Sequence, residues 1–153
     1  MGSDSCKTAG ELGALLRFIA AEKYPIDSAS IEKLVGPSKP DFSCRTAGGE
    51  SFAFEVTSLC AEELARMIAR AGREDTAACW TGDPTERIVR NKMHKNYDTE
   101  LPLELLCYWD GRTISTDEMI IPTIERIANS EPNPFHRVWY HGEKEVRLVY
   151  DAG

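Results

Sequence analysis

Residues 39–59 read KPDFSCRTAGGESFAFEVTSL, and this stretch decides what fold the chain can have. Ser51 to Ser58 alternates strictly: Phe52, Phe54 and Val56 take one face, and Ala53, Glu55 and Thr57 the other. That is the period-two signature of a strand. Gly48-Gly49 is a turn signal, and Asp41 to Arg45 is long enough for a short partner strand. A hairpin joined at Thr46 to Glu50 follows. Cross-strand pairing then brings Asp41 and Glu55, with 13 residues between them, toward one point. Glu55 sits mid-strand between Phe54 and Val56, where acids are depleted. Thr57, two residues on, points the same way as Glu55.

Working outward, Leu12, Leu15, Leu16 and Ile19 form one apolar stripe, predicting a helix from Glu11 to Glu22. Thr8 and Glu11 have the spacing of a capping box. The first nine residues are expected to be disordered or added by cloning, since Gly-Ser follows the initial Met. A short helix is expected at Ser30 to Val35, stopped by Gly36-Pro37. Two helices are expected beyond the hairpin, at Ala61 to Arg73 and Pro84 to Tyr97, the second with Asp83 as N-cap and Pro84 in the first turn. Leu103 to Trp109 reads as a buried strand ending at Asp110-Gly111. Thr116 to Ala128 reads as a helix containing Pro122. Phe135 to Tyr140 and Glu145 to Tyr150 flank His141-Gly142 as a closing hairpin. The order α, β, β, α, α, β, α, β, β describes a mixed α/β fold, one sheet with helices packed on it.

Composition narrows the class. At 153 residues one domain is expected, with a core hiding roughly 70% of the unfolded surface. Hydrophobic residues at 42% and charged residues at 28% exclude disordered and low-complexity chains. No apolar run approaches the roughly 20 residues of a membrane span, and no signal-peptide pattern opens the sequence. Five cysteines without a CxxC pair read as reduced thiols of a cytoplasmic protein. The net charge of −7 argues against a protein that coats nucleic acid, which needs phosphate neutralisation. The charge is uneven, however: Leu64 to Lys95 carries +3 and the remainder −10.

Two carboxylates converging at one point can hold Mg²⁺ or Mn²⁺, hard cations that take oxygen ligands and keep several waters. Asp41 and Glu55 are the candidate metal ligands. Such a metal polarises a phosphoryl oxygen and lowers the pKa of a water on it. The three histidines show neither HxH nor HExxH spacing, and the glycines match no nucleotide-binding loop. The tryptophans are expected in the core.

Pro40-Asp41 followed by Glu55-Val56-Thr57 resembles the PD-(D/E)xK nuclease superfamily, whose members carry Pro-Asp, then Asp or Glu, any residue, and Lys on the next strand. The likeness extends through the helix ERIVRNKMHKNY and the strand LPLELLCYW, roughly Glu11 to Asp110. It implies a restriction-endonuclease-like core, a central mixed sheet flanked by helices. It also implies metal-dependent hydrolysis of a phosphodiester, with nucleic acid as partner. An acid on the first helix, as in some members, makes Glu11 a further ligand candidate. Thr57 stands where the motif lysine belongs, and a hydroxyl cannot supply the lysine's charge. Lys92 and Lys95 are the leading stand-ins, Lys39 the third, with Thr57 left to hydrogen-bond a water on the metal. The alternative is a catalytically degenerate binding or scaffold module, of phage or mobile-element origin. A third reading is a plain interaction domain without metal. The oligomeric state is left open, a homodimer included.

Overall fold

The structure is a computed structural model that describes residues 2–59, 84–111 and 115–153. Its elements are α1 (Gly2–Glu22), β1 (Ile26–Lys33), β2 (Phe42–Thr46), β3 (Ser51–Ser58), α2 (Pro84–Met93), β4 (Leu103–Tyr108), α3 (Asp117–Ser130), β5 (Arg137–His141) and β6 (Val146–Asp151). The expected helix at Ala61 to Arg73 and the N-cap Asp83 lie outside the described residues. No helix among the described residues is long and apolar enough to cross a membrane.

The six strands among the described residues form one sheet in chain order. The β1–β2 and β2–β3 pairs are antiparallel, β3–β4 and β4–β5 parallel, and β5–β6 antiparallel. The parallel centre has both faces covered, as parallel strands require. On one face α1 lays Ala14, Leu15, Phe18 and Ile19 against Phe52, Phe54, Val56, Leu106 and Trp139. On the other, Ile88, Val89 and Met93 of α2, with Ile120, Ile124 and Ile127 of α3, cover Ala53, Leu105, Cys107, Val138 and Tyr140. Leu105, Leu106 and Cys107 are fully buried, so β4 is the central strand its apolar run announced. The β2–β3 turn closes where the glycine pair stands: Gly49 takes φ 94°, and the Thr46 amide donates to the Glu50 carbonyl at 2.9 Å.

Three expectations are corrected. Ser30 to Val35 is not a helix; it belongs largely to the edge strand β1. Pairing with β2 outweighs the weak local helix preference, because the segment gains a ladder and a place for Ile26 in the core. The strand bulges between Asp27 and Glu32, where the Ser30 hydroxyl donates to the Asp27 carbonyl and accepts the Arg45 amide. Helix α1 begins at Gly2 rather than Glu11, so the segment set aside as disordered is helical. Glu11 is therefore mid-helix and caps nothing. Finally, α2 stops at Met93, before Tyr97.

Candidate functional site

The register of the first hairpin builds one side of the site. Phe42 pairs with Phe54, so the ladder ends just where Asp41 and Glu55 face one another. Beyond it, Glu55 to Ser58 pair with β4 on their other side. Asp41 fills the vacated edge: its Oδ2 accepts the Val56 amide at 2.9 Å, and its own amide donates to Glu55 Oε1 at 3.2 Å. The Pro40 ring helps hold the chain extended on entry to β2. Two carboxylates are thereby fixed side by side by backbone hydrogen bonds.

Glu55 lies on the α2 face of β3 with only 2% of its side chain exposed. The last turn of α2 delivers the Lys92 ammonium to Glu55 Oε2 at 3.0 Å. Past the helix end, Lys95 Nζ reaches the same oxygen at 3.7 Å, with 44% of its side chain exposed. The Tyr97 hydroxyl lies between the Lys92 carbonyl, 3.1 Å away, and Glu55 Oε2, 3.3 Å away, tying the frayed helix end to the carboxylate. Thr57 is buried on the same face as Glu55, in register with Cys107. On β1, Lys33 Nζ sits 3.3 Å from Asp41 Oδ1. Glu11 comes from α1 with its side chain buried, within the electrostatic reach of Asp41, Lys33 and Lys92.

The electrostatics are those of crowded carboxylates. Burial pushes the Glu11 carboxyl up to about 7, and the Asp41 charge adds to the push. Burial likewise raises the Glu55 carboxyl; Lys92 pulls it back down, and Asp41 raises it again. For Lys92, burial favours the neutral amine, but Glu55, Asp41 and Glu11 together hold it above its ordinary range. Burial pushes the Tyr97 phenol far up, helped by Glu55.

Of the residues singled out from sequence, Asp41, Glu55, Lys92 and Lys95 are brought together, Thr57 lies two residues from Glu55 on the same face of β3, and Glu11 is within electrostatic reach. Lys39 is not: its ammonium pairs with Asp98 at 3.1 Å on the surface. Two participants escaped the sequence reading. The local pattern of Ser30 to Val35 predicts a helix and so hides Lys33, which as a strand residue pairs with Phe42, next to Asp41. The spacing of Ile88, Val89, Met93 and Tyr97 predicts one apolar helical stripe, which conceals the polar role of the Tyr97 hydroxyl beyond the helix end.

The donor set can be tested against a divalent cation. Among the described residues no group of three His, Cys, Asp or Glu side chains is gathered closely enough to hold a metal ion. Mg²⁺ commonly binds through one or two carboxylates and completes its shell with water, so the Asp41–Glu55 pair suits it. Oxygen donors whose charges disfavour one another are what a small hard cation relieves. Cys44 and Cys107 are buried free thiols with pKa values pushed up to about 12 by burial, and so these two offer no nucleophile. Comparison with protein-family models, with curated proteins and with solved structures finds no match for this chain.

Proposed function

We propose that the protein is a divalent-metal-dependent phosphodiesterase acting on nucleic acid, a PD-(D/E)xK-type nuclease whose lysine has moved from the strand to α2. The observation that carries this reading is the meeting at Glu55, on β3, of the Asp41 backbone, just before β2, and the Lys92 ammonium of α2. Asp41 and Glu55 would hold Mg²⁺ or Mn²⁺, which when bound supplies Lewis-acid polarisation of a phosphoryl oxygen and a more acidic water. Lys92 keeps a positive charge beside that position, where negative charge grows on the phosphate during displacement. Its side chain is three-quarters buried, so the charge is held at this place rather than in open solvent. Lys95, more exposed, can meet an approaching phosphate before it reaches the site. Thr57 keeps a neutral hydrogen-bonding group, buried on the same face as Glu55, at the position of the motif lysine.

The experiment is cleavage of labelled single- and double-stranded DNA and RNA with Mg²⁺ or Mn²⁺. Chelation, Asp41→Asn and Glu55→Gln should each abolish a wild-type activity, and Lys92→Met should lower it by orders of magnitude. A wild-type protein that cuts nothing, beside a Thr57→Lys variant that does, favours the degenerate module. The engaged state of every described carboxylate oxygen of Asp41 and Glu55 supports that second reading.

A further inference from the structure

Glu55 Oε2 is the most crowded carboxylate oxygen of the site. An oxygen of this kind has two lone-pair positions, yet three groups converge on it: Lys92 at 3.0 Å, the Tyr97 hydroxyl at 3.3 Å and Lys95 at 3.7 Å. The last distance exceeds hydrogen-bond length, so charge alone holds Lys95 there. Of the three ammoniums facing the acid pair, Lys95 stands farthest from its carboxylate and is the most exposed. It follows α2 rather than belonging to its last turn. Among the described residues Glu55 is its one acidic partner; Asp98, the nearest acid along the chain, is taken by Lys39 at 3.1 Å. Its nitrogen also lies 5.3 Å from the Tyr97 ring centroid.

Lys33, Lys92 and Lys95 stand against Asp41, Glu55 and the nearby Glu11. The charges balance with Glu11 ionised, and the group is in positive excess with Glu11 protonated. A divalent cation on Asp41 and Glu55 brings charge that such a group cannot absorb, and it repels the ammoniums beside it. The loosest of them gives way. We propose that Lys95 is a displaceable counter-ion: its ammonium leaves Glu55 when the acid pair takes a divalent cation, and turns to the phosphate of the nucleic acid. Lys92, closer and three-quarters buried, keeps its place. The released side chain borders an open cavity of about 550 Å³, on which no described carboxylate recaptures it. The proposal rests on the nuclease reading and adds regulation to it. Metal and substrate strengthen each other's binding, because one ammonium cannot serve Glu55 and a phosphate together.

NMR spectroscopy and calorimetry with Mg²⁺ alone test the release without turnover. In the metal-free protein the Lys95 εCH₂ signals carry a ring-current shift from Tyr97. Saturating Mg²⁺ should move them toward free-lysine positions, and much farther than those of Lys92. Lys95→Met should bind Mg²⁺ about tenfold more tightly, since it removes the screened repulsion of an ammonium beside a divalent cation. Lys95→Arg, which keeps the charge, should stay near wild type. In cleavage assays Lys95→Met should raise KM about fivefold, with kcat within about twofold of wild type. The NMR measurement uses the wild-type chain, so it decides even where a variant fails to fold. Mg²⁺ binding with the Lys95 signals unmoved, or with equal affinity in Lys95→Met, overturns this proposal and leaves the nuclease reading standing. Release of Lys95 in a protein that cleaves no nucleic acid overturns the nuclease reading and the phosphate half of this proposal. No binding of Mg²⁺ overturns both.

Discussion

Asp41 and Glu55 hold each other through the backbone: the Asp41 amide donates to Glu55 Oε1, while the Asp41 carboxylate takes the amide of Val56, the residue after Glu55. This reciprocal clasp sits where β2 stops and β3 continues. It orients both acids without a second cation being needed on Asp41 Oδ2. Its consequences can be measured.

Metal binding should stabilise the folded chain. If Mg²⁺ or Mn²⁺ binds the pair, a concentration a hundred times Kd adds about 2.7 kcal/mol. For a domain of this size that raises the melting temperature by roughly 5–10 °C. Asp41→Asn should abolish the shift while leaving a cooperative transition. A shift of the same size in Asp41→Asn would place the metal elsewhere.

Lys92→Met should destabilise the protein in a pH-dependent way. It leaves Glu55 buried without its nearest cation, a loss of about 1–3 kcal/mol once the partial exposure of Lys92 is allowed for. Glu55 then has a still higher folded pKa, so the destabilisation grows as pH rises and shrinks as the carboxyl takes a proton. Thermal melts of variant and wild type on both sides of neutrality give the comparison; a pH-independent difference would point to packing alone.

Glu11 makes the wild-type protein less stable as pH rises. Its carboxyl retains a proton to about 7 in the folded chain against an ordinary value of 4.5, so the folded state binds more protons across that window. Stability linked to Glu11 therefore falls from about pH 4.5 to about pH 7. Glu11→Gln should flatten this decline in metal-free buffer. Parallel melting curves for the two proteins across the window would contradict it.

Gly142 has no room for a side chain. A methyl there would overlap the Asp117 carboxylate and the Tyr140 ring. Asp117 accepts the Tyr140 hydroxyl at 2.8 Å and the Glu143 and Lys144 amides at 3.0 and 2.9 Å, so it anchors the β5–β6 turn to the start of α3. Gly142→Ala should lower stability by about 1–3 kcal/mol, the usual cost of overpacking, read from denaturant midpoints. A neutral effect would show that the turn can shift.

The strands that carry the acids were legible because their pattern is local. Alternation from Ser51 to Ser58 and the Gly48-Gly49 turn suffice to bring Asp41 to Glu55. The apolar run of β4 likewise announces a strand buried on both faces. Edge strand β1 was illegible, because Asp27, Ser28, Ser30 and Glu32 face solvent in part and their ladder depends on β2, which no local signal records. Lys33 disappeared with it. The extent of α1 was missed for a related reason: its first turns lack the apolar stripe on which a sequence reading of helix boundaries depends. That Lys92, and not Lys39, reaches Glu55 depends on how α2 docks on the sheet, a tertiary outcome that spacing along the chain does not encode.

The two halves of the site also differ in when they can assemble. The acids meet across a separation of 14 residues, while Lys92 stands 37 residues from Glu55. Loop-closure entropy favours the shorter closure, and the β1–β2–β3 meander requires no crossover. Parallel pairing of β3 with β4 must wait for the intervening chain, and the ammonium arrives with it. During folding, then, Asp41 meets Glu55 with only Lys33 of the same meander beside Asp41, and Glu55 stands without the Lys92 ammonium until the later closure, so repulsion between the two acids acts against the early hairpin. Refolding should quicken in mildly acidic buffer, or with a divalent cation present, through earlier closure of the meander rather than through any change in the finished core.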